Sequence, residues 1–219
     1  MAASSCGDGA LPCARSLPMR LAIVIAAVVG GWYYLGQQDD KANFELTQAV
    51  RTLQTPVRPA GAPETPNAPS YASSQERAAA AKKQLQAVID KYPHTHTADI
   101  ARYLLGTTSV ELGDKATAER ELKEVAATRN SDLSGLAKMA LAAFYGNNNR
   151  AKEAADVYKE LIDKPTTTVS KVMAQMQLAA LYESTQQPLE AKRIYEQIVK
   201  ENPKTEAESM AQAKLRALK

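Results

Sequence analysis

Three stretches decide the fold: YLLGTTSVELGDKATAERELKEV (residues 103–125), MALAAFYGNNNRAKEAADVYKEL (139–161) and MQLAALYESTQQPLEAKRIYEQI (176–198). Set in register, they agree column by column. Leu105, Leu141 and Leu178 are each followed by a small residue, Gly106, Ala142 or Ala179. Further on comes a second alanine column, Ala118, Ala154 and Ala191, then Leu122, Tyr158 or Tyr195, then Val125, Leu161 or Ile198. The period is 36 to 37 residues, the length of a solenoid unit. Alanine, a large apolar residue and an aliphatic at i, i+4 and i+7 make one buried helical stripe. The leucine and its small neighbour let a partner helix come close. Each unit therefore reads as a helical hairpin, with Leu112-Gly113-Asp114, Gly146 to Asn149 and Gln186-Gln187-Pro188 as the turns between paired helices.

Outward from these copies, AKKQLQAVIDKYP (81–93) places Ala81, Leu85, Val88 and Pro93 in the columns of Ala191, Tyr195, Ile198 and Pro203, a fourth, partial copy. Its opening helix is absent next to it. Upstream, DDKANFELTQAVRTLQ (39–54) carries Phe44, Leu46, Val50 and Leu53 near helical spacing and is expected to supply it. Between them lies a loop over 55–72 with prolines at 56, 59, 63, 66 and 69, read as a solvated linker inserted in the first hairpin. At the other end, residues 205–219 are expected to cap the last hairpin through Met210, Ala213, Leu215 and Leu218.

The pattern over residues 73–204 resembles the tetratricopeptide repeat family, whose paired helices stack into a right-handed superhelix. Two features depart from it. The period exceeds the family's 34 by two or three residues, expected from longer connections such as Ala127 to Asp132, and the early tryptophan of the first helix is missing. The resemblance implies that the first helix of each hairpin lines a concave face. Its outward columns are Ile100, Tyr103 and Thr107, then Leu136, Met139 and Ala143, then Met173, Met176 and Ala180. Tyr103, Thr107, Met139, Ala143, Met173, Met176 and Ala180 form the expected protein-binding set, because methionines and a tyrosine make a soft surface suited to varied peptide segments. The competing expectation is that these side chains pack against neighbouring helices.

The chain also carries LAIVIAAVVGGWYYLG (21–36), sixteen residues without a charge. As a helix this is about 24 Å long, against a hydrocarbon core of about 30 Å. Met19 and Arg20 extend the expected span to 19–36. A cleaved signal peptide is the alternative, but Trp32, Tyr33 and Tyr34 follow the apolar run and suit the headgroup boundary of an uncleaved helix. Arg15 and Arg20 precede the run and Asp39 and Asp40 follow it, which predicts a cytoplasmic N-terminus and an exported body. Residues 1–18, rich in Gly, Ala, Ser and Pro, are expected to be disordered. The helix over 37–54 then continues from the anchor.

Composition excludes several functions. The net charge is +3, with Lys and Arg interspersed among Asp and Glu, so no nucleic-acid footprint exists. Both cysteines, Cys6 and Cys13, precede the apolar run, leaving no thiolate site in the body. His94 and His96 are the two histidines and sit in PHTHTADI, read as an interhelical turn with Thr97 as N-cap and not as a metal or catalytic pair. No phosphate loop, nucleophile elbow or metalloprotease motif occurs, so no enzyme activity and no cofactor are expected. The expected fold class is all-α, a transmembrane helix followed by about four tetratricopeptide-type hairpins and a capping helix. Together these features resemble the bacterial family of ancillary Sec-translocon subunits, single-span inner-membrane proteins with periplasmic repeats. That resemblance implies a scaffold working beside the translocon and periplasmic chaperones; the rival is a cell-envelope assembly or division coordinator with one fixed protein partner.

Overall fold

The structure, a computed structural model, describes residues 16–59 and 70–218, with backbone only at 16–24, 26–28, 32 and 35. Among these residues nine helices follow one another: α1 (Ser16–Gln54), α2 (Ser74–Lys91), α3 (His96–Glu111), α4 (Lys115–Ala126), α5 (Ser131–Asn147), α6 (Ala151–Asp163), α7 (Lys171–Ser184), α8 (Pro188–Glu201) and α9 (Glu206–Ala217). Each packs on the next, giving four antiparallel hairpins with α9 laid on the last. No strand forms among the described residues; Val57 and Tyr71 make an isolated bridge.

The repeat columns are the core. Leu105, Leu141 and Leu178, the alanines 81, 118, 154 and 191, and the residues Leu85, Leu122, Tyr158, Tyr195, Val88, Val125, Leu161 and Ile198 are all buried. Each large side chain so placed contributes about 1.5–3 kcal/mol relative to exposure, and their recurrence in every unit lets neighbouring hairpins shield one another. Helices α3 and α4 approach closely at Gly106, where an added Cβ would lie 2.8 Å from the Cγ of Leu122. The equivalent positions, Ala142 and Ala179, are buried as well.

The three turns inside hairpins are built alike. Gly113, Asn149 and Gln186 have φ of 74°, 59° and 60°, the left-handed conformation that ends a helix. The next residue's N–H, at Asp114, Arg150 or Gln187, donates to the carbonyl five residues back, at Ser109, Tyr145 or Tyr182, over 2.9, 2.9 and 2.8 Å. Helix starts use side-chain caps: Ser73, Thr95, Asp114, Asn130, Ser170 and Thr205 accept from the first turns of α2, α3, α4, α5, α7 and α9. The cap of α3 is thus Thr95 and not Thr97. Thr97 is inside the helix, where its N–H (3.1 Å) and hydroxyl (2.6 Å) both donate to Asp39 Oδ1. A carboxylate on α1 therefore satisfies an amide that the helix start leaves open.

Other expectations shift by part of a turn. On α1 the buried stripe is Ala42, Leu46 and Ala49, packed on Leu85, Val88 and Ile89 of α2 and Ala101 and Leu105 of α3, while Phe44 is 68% exposed. Small residues at 42 and 49 allow closer helix contact than the larger Phe44 and Val50. On α9 the buried residue is Ala211, flanked by half-buried Ala207, Leu215 and Leu218, whereas Met210 and Ala213 face out. Again an alanine takes the contact point. The connection Ala127 to Asn130 is four residues, and the long one is Lys164 to Ser170, seven residues closed over Val169, which is fully buried. There Asp132 Oδ1 accepts the N–H groups of Thr167 (2.9 Å) and Thr168 (3.3 Å).

The helix α1 starts at Ser16 and runs through the uncharged stretch without a break. No helix among the described residues is long and apolar enough to cross a membrane. The side chains of 21–24, 26–28, 32 and 35, which make up much of the expected span, lie outside those residues, as do residues 1–15, with both cysteines, and 60–69, with Pro63, Pro66 and Pro69.

Candidate protein-binding face

Among the first helices, α1 touches α3 and α3 touches α5. The inner face expected of such repeats is carried by the first helices α3, α5 and α7. The expected binding residues divide in two there. Ala143, Met173 and Ala180 are exposed, with Met173 at 47%. Tyr103, Thr107, Met139 and Met176 are half-buried. Tyr103 packs on Val125, Leu133 and Ala137, and burial pushes its hydroxyl pKa up. Met139 leans on the cluster spanning α4 to α7, and Met176 on that of α7 to α9. The Thr107 hydroxyl donates to the carbonyls of Leu104 (3.0 Å) and Tyr103 (3.2 Å). The inner face is thus a shallow apolar floor with small or flexible residues at its surface.

Sequence reasoning passed over a second set of residues, on the outer edge. Lys82 on α2 pairs with Asp114, the cap of α4, at 2.5 Å. One unit later, at the same columns with charges exchanged, Glu119 on α4 pairs with Arg150, at the start of α6. Arg150 Nη1 donates to Glu119 Oε2 (2.6 Å) and Nη2 to Oε1 (3.1 Å), while Lys123 reaches Oε1 at 2.6 Å and the Tyr145 hydroxyl donates to it at 3.2 Å. The guanidinium also lies 4.1 Å over the Tyr145 ring. Arg150 first and Lys123 second hold the Glu119 carboxyl down at about 2. At the third junction the same columns hold Ala155 and Gln187, and an open cleft of about 300 Å³ replaces the clamp. The signal was present in the alignment: Lys82, Glu119, Ala155 and Asp114, Arg150, Gln187 stand in register, but charges on helix faces read as solvent-facing until their partners are placed.

His94 and His96 lie in an open cleft of about 580 Å³ between the α2–α3 connector and α1, whose wall includes Tyr33, Gly36 and Gln37. Among the described residues no group of His, Cys, Asp or Glu is arranged to hold a metal ion.

The family model described as a tetratricopeptide repeat-like domain matches residues 15–157, and one described as a tetratricopeptide repeat matches 173–205. No curated protein and no solved structure matches the chain. Repeat domains of this kind are typically non-catalytic scaffolds for protein interaction. From α1 to α6, and again through the final hairpin, the chain belongs to the tetratricopeptide repeat-like domain family.

Proposed function

We propose that the chain is a membrane-tethered scaffold on the exported side of a bacterial inner membrane, where its inner face holds protein or peptide segments beside the Sec translocon and its chaperones. The observation that carries the binding part is the repeated apolar floor of Tyr103, Met139 and Met176 under exposed Ala143, Met173 and Ala180. Methionine and small residues leave a surface that adapts to varied side chains. The tether is supported by the sixteen uncharged residues 21–36 and by the continuity of the helix that contains them with the first repeat. Tethering raises the local concentration of the scaffold near emerging chains without any new contact.

Replacing Ala143 and Ala180 together by Arg tests the groove without touching the buried columns. Crosslinking in native membranes is expected to lose translocon components, chaperones or exported chains, with the melting temperature unchanged. Undiminished capture by a folded variant overturns the groove. Capture of one fixed partner in place of a mixture would favour an assembly coordinator.

A further inference from the structure

The helix that would leave the membrane is also the first helix of the repeat stack, and this fixes which edge of the stack lies nearest the bilayer. The connectors between hairpins, 92–95, 127–130 and 164–170, and the one before α9, 202–205, all lie on the edge where α1 enters the stack, because α3, α5, α7 and α9 start there. Height above the membrane follows from contacts. Thr97 is hydrogen-bonded to Asp39, three residues past Gly36, which is about 5 Å of helix. His94, Thr95 and His96 share a cleft with Tyr33 and Gly36 themselves. The polar layer on each side of a bilayer is about 5–8 Å deep. Hence, if residues 21–36 occupy the hydrocarbon and its boundary, the first connector stands within the headgroups.

The next connectors follow in sequence along the same edge. A cleft of about 450 Å³ is bounded by Pro93 to His96 on one side and Ala127 to Asn130 on the other. Asp132, just beyond, holds the N–H groups of Thr167 and Thr168. Their chemistry suits a phosphate-bearing surface. Each connector has one basic or imidazole side chain, His94, Arg129, Lys164 or Lys204, all exposed, and none contains a carboxylate. The opposite edge differs, for its turn charges Asp114 and Arg150 are consumed in clamps. Nearby acids on the connector edge are engaged at Asp39, Asp99 and Asp132. Asp40, Asp163 and Glu206 flank it exposed, so height above Gly36, more than net charge, places this edge.

We infer that the connector edge, led by His94 to His96, is a lipid-facing surface that rests on the membrane headgroups, holding the inner face upright at a fixed orientation. This rests on the proposed anchor. The experiment uses the full chain with Cys6 and Cys13 replaced by Ser and one new cysteine at a time, His94→Cys, Thr167→Cys or, on the opposite edge, Lys115→Cys. Each is labelled with a fluorophore and reconstituted in phosphatidylcholine–phosphatidylglycerol vesicles whose headgroups carry a nitroxide quencher. Several-fold stronger quenching at 94 and 167 than at 115 is expected, since α3 separates the two edges by about 24 Å. Equal quenching at all three sites in a chain that resists alkaline carbonate overturns the orientation and leaves the anchor standing. Release of the chain by carbonate overturns both.

Discussion

The second and third junctions of the stack use one backbone plan and different side chains. Around α4, α5 and α6, Glu119, Lys123, Tyr145 and Arg150 knit the outer edge together; around α6, α7 and α8, Ala155 and Gln187 face each other across a cleft. Yet both junctions bury the same columns, Leu122 and Val125 on one side, Tyr158 and Leu161 on the other. Stacking is therefore an apolar property of the columns. Edge charge is added where it fixes which surfaces meet, and with partly exposed groups it adds little stability. The exchanged signs of Lys82–Asp114 and Glu119–Arg150 also oppose wrong pairings, because Lys82 would meet Arg150 and Glu119 would meet Asp114.

The comparison breaks most clearly at the core. Leu122→Ala is expected to cost about 3 kcal/mol, because Leu122 is fully buried between α3 and α4 and its loss leaves a cavity. Chemical denaturation measures it, and an equal cost from Arg150→Ala would mean the clamp carries the junction after all. Next in size, Glu119→Gln should cost about 1 kcal/mol at neutral pH, a figure discounted for solvent screening. The Glu119 carboxyl is held at about 2, below its unfolded range, so its contribution is complete above the ordinary carboxylate pKa and fades as pH falls toward 2. The gap between wild type and Glu119→Gln should therefore narrow in acid denaturation series, and a constant gap from pH 7 to pH 2 would assign the effect elsewhere.

Smaller changes sharpen the contrast at the third junction. Gln186 holds the left-handed turn position that is Gly113 two units earlier, so Gln186→Gly should stabilise by about 0.5–1 kcal/mol, read as a raised denaturation midpoint. Grafting the clamp by Ala155→Glu with Gln187→Arg should add about 0.5 kcal/mol and slow amide exchange in α7 and α8. A double-mutant cycle with no coupling between the two grafted groups would show that the column geometry alone does not make the clamp.

Periodicity exposed the hairpins because burial repeats with the unit: an alanine every 36 or 37 residues has one physical cause, the close approach of the partner helix. Turn positions were legible for the same reason, as Gly113, Asn149 and Gln186 recur just ahead of each second helix. The two ends were read less well. Phe44 and Met210 were expected inside and stand exposed, because a terminal helix has a neighbour on one side, and alanines 42, 49 and 211 suit that single contact better than large residues. For the expected inner face, Tyr103, Met139 and Met176 stand in register in the sequence, but whether each points at a ligand or leans on its neighbour depends on distances between units.

The sequence by itself determined helices, hairpins, unit boundaries and the apolar columns, since these depend on local spacing and on side-chain size. Only the tertiary structure decided the exchanged clamps, the capture of Thr97 by Asp39 and the exposure of Phe44, because each depends on the offset between helices far apart in the chain. Charge partners across a stack are set by that offset, and no single helix encodes it.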